Sequence, residues 1–158
     1  MSHQDGGRLR TDRSYPLDES PEAAWDDLAA VDAYERWWPW LRRFEAGRLA
    51  VGERWEARIR VPMPWSLRFT LDLREVRAPA HVVAVLSGDI EGTASITLEA
   101  TDRGSTIRLR SDLAPRHRLL RAVNRAAPSV SRRLHDRVVD RAFRQFAGRG
   151  RGEGPGEG

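Results

Sequence analysis

The chain has 158 residues, no cysteine and a net charge of +4, and with no lysine its basic residues are all arginine. Disulfides, thiolate catalysis and Cys-ligated metals are thereby excluded, as are Schiff-base chemistry and the lysine of a phosphate-binding loop. The length suits one domain with a sizeable core, and arginine, which holds its proton, makes a poor general base and a good anion clamp.

Residues 1–7 are polar and are expected to be disordered, with no apolar stretch of the kind a secretion signal needs. Arg8–Tyr15 reads as a first strand with Leu9, Thr11, Arg13 and Tyr15 on one side. Ser20-Pro21-Glu22 is a helix start: a serine cap, a proline at the first helical position, then an acid. Ala23, Ala24, Trp25, Leu28 and Ala29 give that helix its apolar face. Asp32 is placed to cap a second short helix that runs to Trp38 and ends at Pro39.

A series of strand patterns follows. Trp55–Val61 alternates apolar and charged residues, and Leu67, Phe69, Leu71 and Leu73 repeat the pattern. His81–Ser87 is more uniformly apolar and predicts a strand buried on both faces. Ala94, Ile96, Leu98 and Ala100 alternate next. Asp102-Arg103-Gly104 makes a hairpin turn, and Ile107, Leu109, Ser111 and Leu113 then face inward. Connections this short predict an antiparallel meander of about six to seven strands. After Pro115 the period becomes helical. Pro128 splits the region into a short helix and a main one, on which Val130, Leu134, Val138, Ala142 and Phe146 step by four. Gly148 onward, GRGRGEGPGEG, is a low-complexity tail expected to be disordered.

The order of these elements, with several short segments, resembles a known family. Trp37-Trp38-Pro39-Trp40 follows the second helix, and Val61-Pro62-Met63-Pro64-Trp65 links two strands. Ser87-Gly88-Asp89-Ile90-Glu91-Gly92 joins the next pair, Gly104-Ser105-Thr106-Ile107 opens the last strand, and Leu134-His135-Asp136 lies in the terminal helix. Together they resemble the START-like, SRPBCC superfamily, in particular its bacterial polyketide cyclase/dehydrase and lipid-transport group, over residues 8–147. The resemblance implies an α+β helix-grip fold: a curved antiparallel sheet wrapped around a long C-terminal helix, with two short helices after the first strand. It also implies a hydrophobic pocket between sheet and helix. Members of the group bind, carry, cyclise or dehydrate apolar molecules, and the resemblance carries over no catalytic residue and no cofactor.

On this reading the pocket is lined by Trp38, Trp40, Trp55, Ile59, Phe69, Leu71, Leu109, Leu134 and Val138. Six tryptophans in a chain of this size offer flat apolar walls, each with one N–H donor. Trp25 and Trp55 read first as core, while Trp38 and Trp40, flanking Pro39, divide between pocket rim and packing; Trp65 also falls near a seam. His135 is spaced to edge into the pocket and could move a proton near neutral pH, but the simpler reading is a hydrogen-bonded histidine at the helix–sheet boundary. Asp89 and Glu91, between Gly88 and Gly92, could do acid–base work if desolvated, and otherwise are solvated turn residues. Asp112 should point away from the pocket. His3, His81 and His117 are scattered, and no metal site is expected. Residues 115–149 carry ten arginines against Asp136 and Asp140 alone. This basic face reads first as a solvated helix surface paired through those two acids, second as a weak contact with an anionic membrane surface, and last as a nucleic-acid interface, which is not expected. The expected protein is cytoplasmic, and its partner is a hydrophobic small molecule that it carries or, alternatively, cyclises or dehydrates.

Overall fold

The computed structural model describes residues 7–60 and 66–148. The disorder expected of the first residues and of the tail, and the linking segment with Trp65, lie outside the described residues, save Gly7 and Gly148. Seven strands form one antiparallel sheet: β1 (Leu9–Leu17), β2 (Leu41–Glu45), β3 (Arg54–Arg60), β4 (Ser66–Arg77), β5 (His81–Gly88), β6 (Ile90–Thr101) and β7 (Gly104–Pro115). Their order is β1-β7-β6-β5-β4-β3-β2, so β2 to β7 are a meander and β1 closes on β7. Helices α1 (Pro21–Ala29) and α2 (Tyr34–Trp37) follow β1; α3 (Arg118–Ala126) and α4 (Pro128–Gly148) follow β7. Pro128 sits at the break between the last two helices, where its missing N–H costs nothing.

Register decides what faces the helices. Trp55 pairs with Leu71, Ala57 with Phe69, Ile59 with Leu67, Ile96 with Leu109 and Leu98 with Ile107, which puts all of these on one face. A slip of one residue would send Arg58 and Arg108 inward instead. They stay on the outer face, where Arg108 meets Asp12 at 2.7 Å and Arg8 meets Asp112 at 2.6 Å. On the inner face two apolar clusters form. One gathers Tyr34, Leu41, Trp55, Ile59, Leu67 and Leu86; the other gathers Leu17, Trp25, Leu28, Leu98, Ile107 and Phe146.

Three local expectations are corrected, and one strand went unread. The short edge strand β2 escaped the period-two pattern because a bulge between Leu41 and Arg43 lets Leu41 and Phe44, three apart, face the same side, opposite Ile59 and Ala57. Asp32 caps nothing: it sits inside a 3-10 turn, Val31–Ala33, that has no side-chain cap. The turn is held instead by its neighbours, with Tyr34 donating its hydroxyl hydrogen to Leu28 O. β5 is covered on one face only, since Ala84 and Leu86 are buried while Val83 and Val85 are half-buried on the outer side. On α4 the buried residues are Ser131, Val139 and Phe146, whereas Val130 is 48% exposed. Steps of four turn about 40° past a full circle, so a chain of them drifts off the buried face.

Gly92 makes the meander possible at the β6–β7 ladder. Its φ is +145°, and a Cβ there would lie 2.0 Å from the backbone oxygen of Asp112. Gly92→Ala should therefore lower stability by about 3 kcal/mol or more, because the β7 backbone must move. Gly52→Ala, at φ +85° with nothing within 4 Å, should cost only about 1–2 kcal/mol. Urea unfolding of the two variants checks this, and equal losses would show that the contact at Gly92 is unimportant.

Candidate functional site

Among the strands, α4 lies closest to β1, and the contact is polar. The inward Arg13 reaches Asp140 at 2.7 Å and Asp136 at 3.3 Å. Tyr15 donates its hydroxyl hydrogen to the same Asp140 carboxylate, and its ring stacks on Phe143 with centroids 4.6 Å apart. Thr11, buried, shares a hydrogen bond of 2.9 Å with His135 Nε2. Across the β1–β7 ladder Thr11 faces Ser111, whose buried hydroxyl has no hydrogen-bond partner among the described residues. Burial, and then the hydrogen bond to Asp140, pushes the Tyr15 hydroxyl up to about 12. That same bond, with help from Arg13, holds Asp140 below the usual carboxylate value. Burial lowers the pKa of His135, the nearby Arg132 and Arg13 adding to the effect and Asp136 opposing it. The imidazole is thus neutral at physiological pH.

The C-terminal half of α4 is fastened differently. Phe146 is 1% exposed and packs on Trp37 and Trp38. Trp38 Nε1 donates to Ala142 O and Trp40 Nε1 to Gln145 Oε1, each at 2.9 Å.

Beside the β1 fastening, along the N-terminal half of α4, lies a cavity of about 100 Å³. Ile59, Leu67 and Leu113 of the sheet, Leu120 of α3, and Leu134 and Val138 of α4 line it. Ser131 and His135 supply polar groups to its wall. Apolar walls with a few convergent polar atoms suit an apolar molecule carrying one polar group.

Of the residues singled out from the sequence, Ile59, Leu134, Val138 and His135 come together at this cavity. Trp38 and Trp40 instead clamp α4, and Trp40 also lines a depression beside the cavity. Trp55 is 6% exposed, donates its N–H to Arg48 O, and belongs to the first core cluster, against which Phe69 and Leu71 pack. Leu109 shares the inner face and lies opposite Ile96 and Arg13, outside the cavity lining. Asp89 accepts from Arg68 N–H at 2.8 Å, while its own backbone oxygen accepts from Arg116 and His117. It ties β4, the β5–β6 turn and the approach to α3 together and does not line the cavity. Glu91 pairs with Arg116, and Asp112 with Arg8 and Arg10. Sequence reasoning overlooked the Arg13–Asp136–Asp140 group. Its signal was an arginine in phase with inward residues, and two acids four apart that were assigned to the helix's own arginines.

No protein-family model and no curated protein matches the sequence. Solved structures are. TTHA0849 from Thermus thermophilus superposes with a TM-score of 0.72 at 12% identity, covering 90% of this chain and 95% of that one. Ara h 8.0201 gives 0.67 at 14%, covering 90% and 97%. A conserved protein from Geobacillus kaustophilus gives 0.69 at 13%, covering 88% and 93%. The chain has the helix-grip fold. Likeness at such identities speaks to the fold alone.

His135 makes stability depend on pH. Its folded pKa lies below the free value of 6.5, so the unfolded chain binds the extra proton. Stability is complete above that value and falls as pH drops through it toward the folded pKa. Asp140 and Asp112, which are held below the ordinary carboxylate value of 3.8, act in the same direction at lower pH. His135→Gln should flatten the loss of stability between about pH 7 and pH 5 and leave the steeper loss in stronger acid. Urea midpoints measured across that range test the assignment, and parallel curves for the two proteins would refute it.

Proposed function

We propose that the protein binds an apolar small molecule in the cavity between the sheet and α4, as a carrier within the START-like, SRPBCC superfamily. The observation that carries this reading is an apolar cavity under a helix fastened along one edge and at one end. On its other edge the wall is made of the half-buried Leu134 and Val138. Superposition on helix-grip structures over nine-tenths of the chain supports it. The cavity, at about 100 Å³, is smaller than the engineered space of about 150 Å³ that takes benzene. It fits the end of a lipid, isoprenoid or polyketide-like chain rather than a whole molecule.

A cyclase or dehydratase acting in the same place is the second reading, and His135 favours it: a neutral imidazole on the cavity wall is a base in its working form. Its hydrogen-bond partner among the described residues is Thr11, not a carboxylate that would steady the charged ring. Asp89 is committed elsewhere. Carriage is therefore the leading function.

The neutral fluorophore N-phenyl-1-naphthylamine should bind saturably and be displaced by unlabelled lipid. Leu134→Trp, which fills the cavity from a half-buried position, should weaken binding about tenfold or more and change stability by less than about 1 kcal/mol. Native mass spectrometry of freshly purified protein should show a co-purified apolar ligand. Absence of saturable binding to the unaltered protein would end both the carrier and the enzyme readings.

A further inference from the structure

The open edge of α4 faces a depression of about 740 Å³, and its lining is unusual in charge. Arg42 comes from β2, Arg60 from β3, and Arg137, Arg141 and Arg144 from α4; no acid among the described residues lines it. The two acids of α4 are turned away, bonded to Arg13 and Tyr15 on β1. Side chains of Arg42, Arg60, Arg137 and Arg141 form no ion pair or hydrogen bond with any described residue, and Arg144 donates to the backbone oxygen of Asp140. Five arginines from three elements thus line one concavity. Such an arrangement is relieved by an anion, and the planar fork of arginine suits carboxylate or phosphate oxygens.

The depression and the cavity adjoin, with Leu134 and Val138 lining both. The geometry points to an anion clamp at the cavity mouth. The ligand is an amphiphile whose carboxylate or phosphate head is held by Arg60 from one side and Arg137 and Arg141 from the other. Its apolar tail passes Leu134 and Val138 into the cavity, and Trp40 gives the rim a flat apolar wall. This inference rests on the cavity reading and adds the chemistry of the ligand's head. A bilayer surface presents phosphates too, but to protruding side chains. Arginines that line a concavity between two elements fit a single head group, so the ligand is a dispersed amphiphile.

The test compares decanoate, decyl phosphate and 1-decanol, which share a tail, as displacers of N-phenyl-1-naphthylamine. Both anions should displace the probe at concentrations about tenfold or more below that of the alcohol at low salt. The advantage should shrink as salt rises. In the double variant Arg60→Gln, Arg141→Gln it should narrow to about twofold, with decanol affinity unchanged. Arg133→Gln, an exposed α4 residue outside the depression, should keep the full preference. Equal displacement by anions and alcohol overturns the clamp and leaves the cavity reading standing. Failure of probe, alcohol and anions alike overturns both. A preference that survives the double variant, or that falls equally in Arg133→Gln, assigns it to overall charge and overturns the clamp. Co-sedimentation with acidic vesicles in the absence of any preference among dispersed amphiphiles assigns the basic face to membrane contact and overturns it as well.

Discussion

An arginine on the inner face of a sheet must find negative charge there, and in this protein that requirement orients the terminal helix. Arg13 is in phase with Leu9, Thr11 and Tyr15, so it points at α4. A partly buried charge left unpaired is costly, whereas a paired and hydrogen-bonded one is tolerated. The acids that meet it, Asp136 and Asp140, lie one turn apart on α4. Once they face β1, the rotation of the helix is set. His135 falls beside Thr11, Leu134 and Val138 fall over the gap, and Arg137 and Arg141 fall on the far edge. Cavity and mouth both follow from that one pairing.

Much of the architecture was legible in the sequence, because burial of one face per element leaves a periodic trace. Strict alternation in β3, β4, β6 and β7 placed Trp55, Ile59, Phe69 and Ile107 on a common face, and Pro128 marked the division of the terminal helices. What escaped were departures from strict period. The bulge in β2 joins Leu41 and Phe44 at a spacing of three, and another in β4 does the same for Leu73 and Val76, opposite Ala84 and Val82. Faces can be read from a sequence; the distance between two facing elements cannot. Ile59, Leu134 and Val138 line the cavity, while Trp55, on the same face, is packed into the core and Leu109 lies outside the lining.

The tryptophans show the same limit in another form. Their positions flanking Pro39 were compatible with a ligand wall or with packing. The choice depends on where each indole N–H finds an acceptor. Trp38 and Trp40 find theirs on α4, and Trp55 finds one in the loop before β3. No local pattern encodes the long-range acceptors on α4. Trp40 retains one exposed flank, which is why it contributes to the rim as well as to the clamp.

The two long edges of α4 are closed by different kinds of force. Toward β1 the closure is directional: ion pairs and hydrogen bonds that hold one spacing and lose their strength quickly when stretched. Toward β3, apart from the Trp38 and Trp40 hydrogen bonds near the C-terminal end of the helix, it is contact area, which yields gradually and can re-form around a guest. Any swelling of the interior is therefore taken up on the β3 side, with β1 as the fixed spine, much as a book opens away from its binding. Its consequence is a division of labour within one helix: residues along the spine keep the fold while those along the fore-edge can vary with the guest.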